Sequence, residues 1–568
     1  MRSDVRTIPD ALRAAAAAAT VRGIVLTGSD LQGRRLGYDE LLARSRAAAS
    51  ALLDAGLGPG DRLFLVLPTG EDFLAAFFGS LLAGIVPCPL SPPQGAQPPS
   101  VFQAKLAQLV RHLKMRGVLA LPEVAEGAAA ELGPDVLALT PDRLAGNGEA
   151  APDRAPEPAD VAFLQLTSGS TALPKGVMIT HAAAVANLRQ IGLASGISAG
   201  DVMVSWLPLF HDMGLVGAVL LALGHEMDLV LSNPFSFLRR PAHWVQAIHR
   251  WRGTHSLAPT FAFRQLAERL TDRDLAGLDL ASWRVAYIGA EPVHREVLEL
   301  FEQRLAPCGL SATTLLPCYG MAEATLAITF KPWQERYRTR PVSRRALARE
   351  GRAAAPDDAG DELVLVSCGR PLEGMRVAIL DEEGRELPEG QLGEIALSGP
   401  SLFAGYFGMA EPGPEEIARG FRTGDLGFLD QGELFITGRR KELIILSGEN
   451  HHPAEIEWAA AGVDGVRTTR VAAFGVADPA LGTERLCILA ESDRRGREGS
   501  GDGALAVEIR RRVREETGLV VSDVEIVPAG TIPVTTSGKI RRARAREIFL
   551  EMRSGVDASA PAPVQPGI

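Results

Sequence analysis

The chain has 568 residues, a hydrophobic fraction of 46%, a charged fraction of 23% and a formal net charge of −10. These values are ordinary for a folded globular protein, and they exclude disorder over most of the chain. The acidic balance argues against a nucleic-acid partner, because such proteins usually carry a strong basic field. The length predicts several domains' worth of chain with at least one large core.

Cysteine usage and the N-terminus indicate the compartment. The five cysteines are far apart and form no C-x-x-C pair, which argues against a disulfide scaffold or a zinc site and predicts a reducing cytoplasm. Residues 1–23 alternate charges with an alanine run, so they predict an amphipathic helix rather than a signal peptide. Prolines interrupt the uncharged stretch 73–94, which therefore predicts a buried helix and strand and no transmembrane segment.

Hydrophobic patterning predicts an α/β fold. Helix and strand patterns alternate over 36–122 and again over 181–289, which indicates parallel α/β units. Short strand patterns from 363 to 438 predict a mainly β subdomain within a large domain over 1–438. A small α+β domain is predicted over 439–552, and the Pro-rich tail 553–568 is predicted to be disordered.

The most informative segment is residues 164–176, which places four hydroxyl groups, two glycines and a lysine after an apolar strand. Backbone N–H groups, hydroxyls and close-approaching glycines are what a polyphosphate needs. Lys175 is one of only six lysines among 59 cationic residues. The spacing differs from a Walker loop, in which the lysine directly follows the second glycine. A surface turn is the alternative, but the strand before the loop and Pro174-Lys175-Gly176 favour a phosphate loop.

The pattern T-S-G-S-T-x-x-P-K-G over 167–176 resembles the signature of the adenylate-forming enzymes, which include acyl-CoA synthetases, peptide-synthetase adenylation domains and luciferases. Further segments resemble later family motifs in the expected order, and they are 205–214, 287–292, 318–323, 423–427, 438–441 and 535–540. The resemblance covers nearly the whole chain. It implies ATP and Mg²⁺ as cofactors and a small C-terminal domain that rotates between two half-reactions.

The same resemblance implies the site residues. Four are implied to be catalytic: Lys539, Lys175, Glu323 and His211. Those implied to bind the nucleotide are Thr167, Ser168, Gly169, Ser170, Thr171, Lys175, Gly289, Ala290, Glu291, Pro292, Cys318, Tyr319, Gly320, Met321, Ala322, Asp425, Arg439 and Lys539. Glu323 and Thr171 would hold Mg²⁺, and Lys441 falls on the hinge.

Some of these residues carry a more detailed expectation. Tyr319 would stack on adenine, Asp425 would accept hydrogen bonds from the ribose hydroxyls, and Lys539 would reach the carboxylate and the α-phosphate. Ala322 replaces the family's usual threonine, so one hydroxyl contact to phosphate is lost. Residues 206–240 and 257–263 are expected to form the acyl pocket.

The region after Glu323 distinguishes members of the family. It has 43 residues before Ser367, and an insertion over 331–361 resembles the fatty acyl-AMP ligases. That resemblance implies activation of a fatty acid to acyl-AMP with release of pyrophosphate, and transfer to the phosphopantetheine thiol of a separate acyl carrier protein. The alternatives are an acyl-CoA ligase that uses free CoA, and a non-catalytic acyl or nucleotide-binding module. The alternative interpretation of the insertion is a loop expansion that has no bearing on the acceptor.

Two arginine clusters have two open interpretations. They are Arg510, Arg511, Arg512 and Arg514, and Arg541, Arg542, Arg544 and Arg546. They can attract an acidic carrier surface, or they can form a solvated helix face in a chain that uses arginine as its default cation.

Overall fold

The computed structural model describes residues 1–18, 22–93, 98–133, 135–145, 155–167, 173–446, 449–478, 483–492, 502–535 and 539–554. Part of the predicted phosphate loop, Ser168, Gly169, Ser170 and Thr171, lies outside the described residues. The tail from residue 555 onward also lies outside them.

The strands are numbered in chain order. They are β1 (Gly23–Thr27), β2 (Gly33–Gly37), β3 (Arg62–Val66), β4 (Val86–Pro89), β5 (Gly117–Ala120), β6 (Leu137–Leu139), β7 (Val161–Thr167), β8 (Lys175–Thr180), β9 (Val202–Ser205), β10 (Asp228–Ser232), β11 (His255–Pro259), β12 (Val285–Gly289), β13 (Leu315–Gly320), β14 (Ala327–Phe330), β15 (Thr339–Ser343), β16 (Glu362–Val366), β17 (Arg370–Pro371), β18 (Arg376–Leu380), β19 (Gly393–Ser398), β20 (Phe421–Asp430), β21 (Glu433–Arg439), β22 (Ile444–Leu446), β23 (Glu449–His451), β24 (Val466–Asp478), β25 (Thr483–Ser492) and β26 (Asp523–Pro528).

The α-helices are numbered in the same way. They are α1 (Ile8–Ala16), α2 (Tyr38–Asp54), α3 (Glu71–Ala83), α4 (Pro99–His112), α5 (Pro122–Leu132), α6 (His181–Ala194), α7 (Asp212–Gly214), α8 (Leu221–Gly224), α9 (Pro234–Arg239), α10 (Ala242–Trp251), α11 (Thr260–Arg269), α12 (Asp272–Leu275), α13 (Arg295–Leu305), α14 (Arg344–Glu350), α15 (Pro414–Gly420), α16 (Pro453–Ala461), α17 (Asp502–Thr517) and α18 (Arg542–Ser554). A π-helix spans Leu215–Leu220, and 3₁₀ turns span Pro141–Ala145, Ala306–Cys308, Ala322–Ala324 and Arg440–Glu442.

Two sheets built from parallel strands confirm the α/β prediction. The nine-stranded sheet has the order β17-β14-β13-β12-β11-β9-β10-β1-β2, and its six inner strands from β13 to β1 are parallel. The sheet β4-β3-β5-β6 is parallel throughout. Strands β10 and β12 are buried at every position, as strands covered by helices on both faces must be. Ligands bind at the carboxyl ends of such strands, which is where the predicted motifs begin.

Antiparallel pairing dominates the following region. Strands β18-β19-β20-β21 form a four-stranded antiparallel sheet. Strands β15 and β16 form a hairpin that brackets the predicted insertion, with α14 between them. Val342 and Leu347 of the insertion pack on Phe428 and Phe435, whose rings stack 5.2 Å apart. The insertion is therefore anchored on the β-rich sheet through an apolar contact.

The C-terminal segment, residues 439–554, has cores of its own. Its sheet β24-β25-β26 packs against α16 and α17 on one side and α18 on the other. Its two main apolar clusters contain no residue from before Ile444 among those described. Ion pairs link α14 of the insertion to this segment: Arg344 with Glu455, and Arg349 with Glu449 at 2.7 Å.

Two sequence-based interpretations change. The N-terminal helix is shorter than 1–23, because a capping box between Thr7 and Asp10 begins it, it ends at Ala16, and β1 pairs with β10 from Ile24 onward. Lys331, for which the sequence offered no role, is buried, and its Nζ donates to the backbone carbonyls of four residues: Thr313 (3.1 Å), Pro332 (3.0 Å), Trp333 (3.5 Å) and Glu335. The helix and strand expected over 73–94 are confirmed as α3 and β4. Among the described residues, no helix is long and apolar enough to cross a bilayer.

Candidate active site

Two adjoining cavities, of about 870 Å³ and 1990 Å³, lie between the parallel sheet, the β-rich sheet and the C-terminal segment. All the predicted site residues that the structure describes line one or both of them: Thr167, Lys175, His211, Gly289, Ala290, Glu291, Pro292, Cys318, Tyr319, Gly320, Met321, Ala322, Glu323, Asp425, Arg439, Lys441 and Lys539. Residues more than 350 positions apart in sequence therefore converge on one space.

The predicted phosphate loop connects two antiparallel strands. Thr167 at the end of β7 pairs with Lys175 at the start of β8, so the lysine begins a strand rather than a helix. This topology differs from a Walker loop, as the spacing predicted. The Nζ of Lys175 lies 4.3 Å from the centroid of the Tyr406 ring, a cation–π contact that holds the ammonium at the cavity wall.

Tyr406 also connects Lys175 to the predicted metal ligand. Its hydroxyl donates to Oε1 of Glu323 at 2.7 Å. Burial raises the pKa of Glu323, and the Tyr406 hydrogen bond opposes that shift. Tyr406 was missed by the sequence reasoning. It lies in an irregular loop that pairs with β8 through Val177, and no local pattern there predicts a functional role.

A second buried carboxylate is held in the same way. Asp425 accepts from the Tyr319 hydroxyl at 2.6 Å and from Nε of Arg439 at 2.9 Å. Its backbone N–H donates to the Thr423 hydroxyl at 3.0 Å. Burial and the Asp425 carboxylate raise the pKa of Tyr319 well above its usual value, so the phenol stays protonated. The structure thus joins three predicted nucleotide-binding residues in one network.

The carboxyl ends of β12 and β13 form the predicted adenine wall. A Cβ on Gly320 would lie 2.0 Å from the carbonyl oxygen of Leu326, so the close approach requires glycine. Ala290 adopts φ +67°, a conformation that side chains rarely adopt and that clusters at functional sites. The carboxylate of Glu291 accepts from the backbone N–H of Phe261 at 3.1 Å, and burial raises its pKa.

His211 and Asp212 lie where the two cavities meet. Nδ1 of His211 is 2.7 Å from Oδ1 of Asp212 and 3.2 Å from the backbone nitrogen of Met213. Burial alone would raise the pKa of Asp212, but His211 and Lys539 outweigh it and lower the pKa. A Cβ on Gly214 would lie 2.2 Å from the Pro208 carbonyl oxygen, so this turn too requires glycine.

Lys539 reaches both cavities from the C-terminal segment. Its charge acts on Asp212 and on Glu291. Its backbone N–H donates to the Thr535 hydroxyl at 3.0 Å, and its carbonyl accepts from the Thr535 N–H at 2.7 Å. Two local bonds thus join Thr535 and Lys539. Lys441 lies on a 3₁₀ turn beside Glu442, which pairs with Arg542 near the start of α18.

An apolar branch of the smaller cavity runs past His211. It is lined by Ile191, Met213, Gly217, Leu221, Leu257, Tyr287, Leu326, Ala327 and Phe330. Met213, Gly217, Leu221 and Leu257 lie in the ranges expected for the acyl pocket. The others come from α6, β12 and the residues around β14, and they were missed because buried apolar residues give no signal that separates a pocket wall from a core.

The donor set fits a magnesium nucleotide. Mg²⁺ prefers hard oxygen ligands and usually takes one or two protein carboxylates beside phosphates and water, and the buried carboxylate of Glu323 can supply one of them. No cluster of three metal-ligating side chains exists within the described part of the chain. Asp425 offers a carboxylate to hydroxyl groups, and Lys175 and Lys539 offer positive charge.

Comparisons with known proteins agree with this geometry. The family model of AMP-binding enzymes matches residues 13–407, more than half of the chain. The chain belongs to the AMP-binding enzyme family. It is 34% identical over 554 residues to the medium-chain-fatty-acid–[acyl-carrier-protein] ligase JamA of Moorena producens, and the match covers 93% of this chain and 92% of JamA.

One further relative and one solved structure are similar to this chain over most of its length. The chain is 36% identical to the long-chain-fatty-acid–AMP ligase FadD26 of Mycobacterium marinum, with 90% of this chain and 91% of FadD26 covered. A solved structure from a study of fatty acyl-adenylate ligases of E. coli and L. pneumophila superposes with a TM-score of 0.91 at 34% identity, covering 97% of this chain and 99% of the other. The recognition of an adenylate-forming enzyme is therefore confirmed.

Proposed function

We propose that this enzyme activates a fatty acid with ATP to an acyl-AMP and then transfers the acyl group to the phosphopantetheine thiol of a separate acyl carrier protein. The convergence of Lys539, from the C-terminal segment, with Lys175, Glu323 and Asp425 carries the proposal. The full-length similarity to fatty acid–AMP ligases supports the same reaction.

The first half-reaction follows from the charges of the site. A carboxylate oxygen of the fatty acid attacks the α-phosphorus, the bond to the bridging oxygen breaks, and pyrophosphate leaves. Two anions must meet and further negative charge develops, so the chain needs cations aimed at that region. Lys175 and Lys539 supply them. Mg²⁺ held at Glu323, and at Thr171, would neutralise charge on the pyrophosphate.

Binding is assigned to the walls of the N-terminal part. Asp425 holds the ribose hydroxyls, Tyr319 packs on the adenine, and His211 orients the carboxylate. The predicted loop residues Ser168, Gly169, Ser170 and Thr171 cradle the phosphates. The acyl chain enters the apolar branch that runs past Gly217.

In the second half-reaction a thiolate attacks the acyl carbonyl carbon, the bond to the AMP oxygen breaks, and AMP leaves. Different groups are then needed at the same carbonyl. We infer a large domain over 1–438 and a mobile domain over 439–552, which turns at Lys441 and withdraws Lys539 between steps.

The arginine clusters give little support to the proposal that a carrier protein is the acceptor. Arg542 is paired with Glu442 and Glu457, Arg511 with Glu508 and Glu515, and Arg544 with Glu547 and Glu551. The charges of these three arginines are already matched by neighbouring carboxylates. The solvated-helix interpretation fits the exposed Arg511, whereas Arg542 is mostly buried. We place the reaction in the cytoplasm, because all five cysteines are free thiols.

The test separates the two half-reactions. Purified protein is assayed for ATP–pyrophosphate exchange with octanoic, dodecanoic and hexadecanoic acids, and then for acyl transfer to a phosphopantetheinylated carrier protein and to CoA. We expect exchange with at least one acid and transfer to the carrier. The matched control is Lys114→Ala, at a lysine that lines neither cavity.

Each outcome has a defined meaning. Absence of exchange with every acid would refute the enzymatic proposal. Exchange followed by efficient acyl-CoA formation would leave adenylation intact and refute the carrier as acceptor in favour of a CoA ligase.

A further inference from the structure

A three-layer stack joins the C-terminal segment to the N-terminal part, and its three side chains line the larger cavity beside groups assigned to the reaction. The Trp458 ring of α16 lies 4.2 Å from the His294 ring, with an interplanar angle of 12°. The guanidinium of Arg264, on α11, lies 4.6 Å from the Trp458 centroid. Trp458 is partly buried and packs against the large apolar core of the N-terminal part.

One partner of Trp458 is held by an ion pair, and the other is an uncharged ring. Arg264 is bonded through Nε to Glu268, one turn later on the same helix, at 2.7 Å. His294 is the residue that precedes α13, and burial, with Arg264 nearby, lowers its pKa to about 4. His294 is therefore neutral near pH 7 and offers an aromatic face without repelling the arginine. The stack is a preformed receptor for one side chain of the C-terminal segment.

Trp458 is mechanically connected to the lysine loop. The preceding residue, Glu457, makes two bonds of 2.7 Å to Arg542. Arg542 lies three positions after Lys539 and also contacts Glu442, next to Lys441. In helix α16, Trp458 therefore forms the stack with the N-terminal part, and its neighbour Glu457 binds Arg542 beside the lysine loop.

We propose that the Arg264–Trp458–His294 stack is a clamp that holds the C-terminal segment in the adenylating position, which makes Trp458 a positioning residue for Lys539. The expected change in ATP–pyrophosphate exchange rests on the proposed function. The expected change in deuterium uptake rests on the contacts alone. Loss of the clamp would leave the nucleotide walls intact and reduce the fraction of molecules in which Lys539 reaches the site.

The kinetic test is Trp458→Ala against Trp251→Ala. Trp251 is a matched control, because it is partly buried and has Arg250 over its ring at 5.8 Å but contacts only the N-terminal part. Aromatic stacking and a cation–π contact together are worth roughly a 10-fold change in an equilibrium. We expect Trp458→Ala to lower kcat of ATP–pyrophosphate exchange by about 10-fold with KM for ATP little changed. Trp458→Phe should recover most of the loss.

The structural test needs no substrate. Hydrogen–deuterium exchange of the intact protein should show faster uptake in α11, the start of α13 and α16 for Trp458→Ala, and unchanged uptake there for Trp251→Ala. If Trp458→Ala does not fold, Arg264→Met and His294→Gln, which remove one layer each, are measured in the same way.

The results separate the clamp from the reaction. Wild-type exchange kinetics in Trp458→Ala, or slowed kinetics with unchanged deuterium uptake across the stack, would overturn the clamp. Failure of the wild-type protein to adenylate any acid would instead overturn the proposed function, while the uptake difference would still support the contact as a clamp.

Discussion

The nucleotide wall and the lysine loop are built differently. In the wall, the carboxylates of Glu323 and Asp425 are buried, and each accepts a tyrosine hydroxyl at 2.7 Å or less. Lys539 instead is joined to Thr535 by local bonds and is carried by a segment with a separate core. Tyrosine hydroxyls hold the two carboxylates of the wall, whereas Lys539, the cation we propose to be catalytic, is carried by another part of the chain. Binding and chemistry should therefore respond to different substitutions.

The largest expected effect is on chemistry alone. Lys539→Ala should lower kcat of ATP–pyrophosphate exchange by about 10²–10³-fold, because a charge aimed at the developing negative charge is lost. Binding of ATP, measured by calorimetry, and the melting temperature should change little. Wild-type exchange in this variant would refute the role assigned to Lys539, and a large loss of ATP affinity would refute the contrast with the wall.

Substitution in the wall should act on binding. Asp425→Asn removes the charge that faces Arg439, and charged hydrogen bonds of this kind are worth about 1.5–3 kcal/mol, so KM for ATP should rise about 10-fold or more. Tyr319→Phe removes only the supporting hydroxyl and should have a smaller effect. The KM for ATP and the kcat of the two variants show whether these residues act on binding. A lower kcat with unchanged KM would contradict a binding role.

Narrowing the apolar branch should shorten the preferred acid. A Cβ on Gly217 would lie 2.7 Å from Cδ1 of Leu257 and 3.0 Å from Cδ2 of Leu326. Gly217→Val should therefore lower kcat/KM for hexadecanoic acid about 10-fold relative to octanoic acid. Gly503→Ala, at a helical position with open space around it, is the control. An equal loss for both acids would remove this branch from the acyl pocket.

The smallest expected effect per residue concerns stability in acid. Burial is the largest cause that lowers the pKa of five histidines to about 4: His181, His225, His255 and His294 in the N-terminal part, and His452 in the C-terminal segment. Between pH 6.5 and 4 the unfolded chain binds more protons than the folded chain, so stability is full above pH 6.5 and falls as the pH drops. Each histidine should contribute a loss of about 1 kcal/mol between pH 6 and 5.

The expected consequence is that acid opens the N-terminal part first. Deuterium uptake at pH 6 and pH 5, corrected for the intrinsic exchange rate, measures the two regions separately. Equal loss of protection in both regions would contradict the expectation that the buried histidines make the N-terminal part the more acid-sensitive region.

Local sequence was sufficient for the elements with a strong period. The helix and strand alternation predicted over 181–289 agrees with the elements from α6 to β12, and the short strands predicted from 363 to 438 agree with β16 to β21. The alanine run near the N-terminus was less informative. Alanine favours helix wherever it occurs, but pairing of β1 with β10 decides where the helix must stop.

The site could be predicted where a motif carries its own chemistry. Lys175, Glu323, Asp425 and Lys539 lie in patterns of polar residues and glycines that have a physical reason to bind phosphate, metal or hydroxyl groups. No such pattern surrounds Tyr406 or Trp458. The same is true of the residues from α6, β12 and β14 that line the apolar branch. Their roles arise from partners more than 80 residues away, and a single sequence does not contain those distances.

The sequence by itself determined the parallel α/β architecture, the order of the motifs and the residue types that an adenylation site requires, because periodicity and motif chemistry are local properties. The tertiary structure decided which tyrosine holds which carboxylate, how the insertion is anchored, and where Trp458 meets the N-terminal part. These features depend on the packing of surfaces that are distant along the chain, and burial and hydrogen bonding become specific only when those surfaces meet.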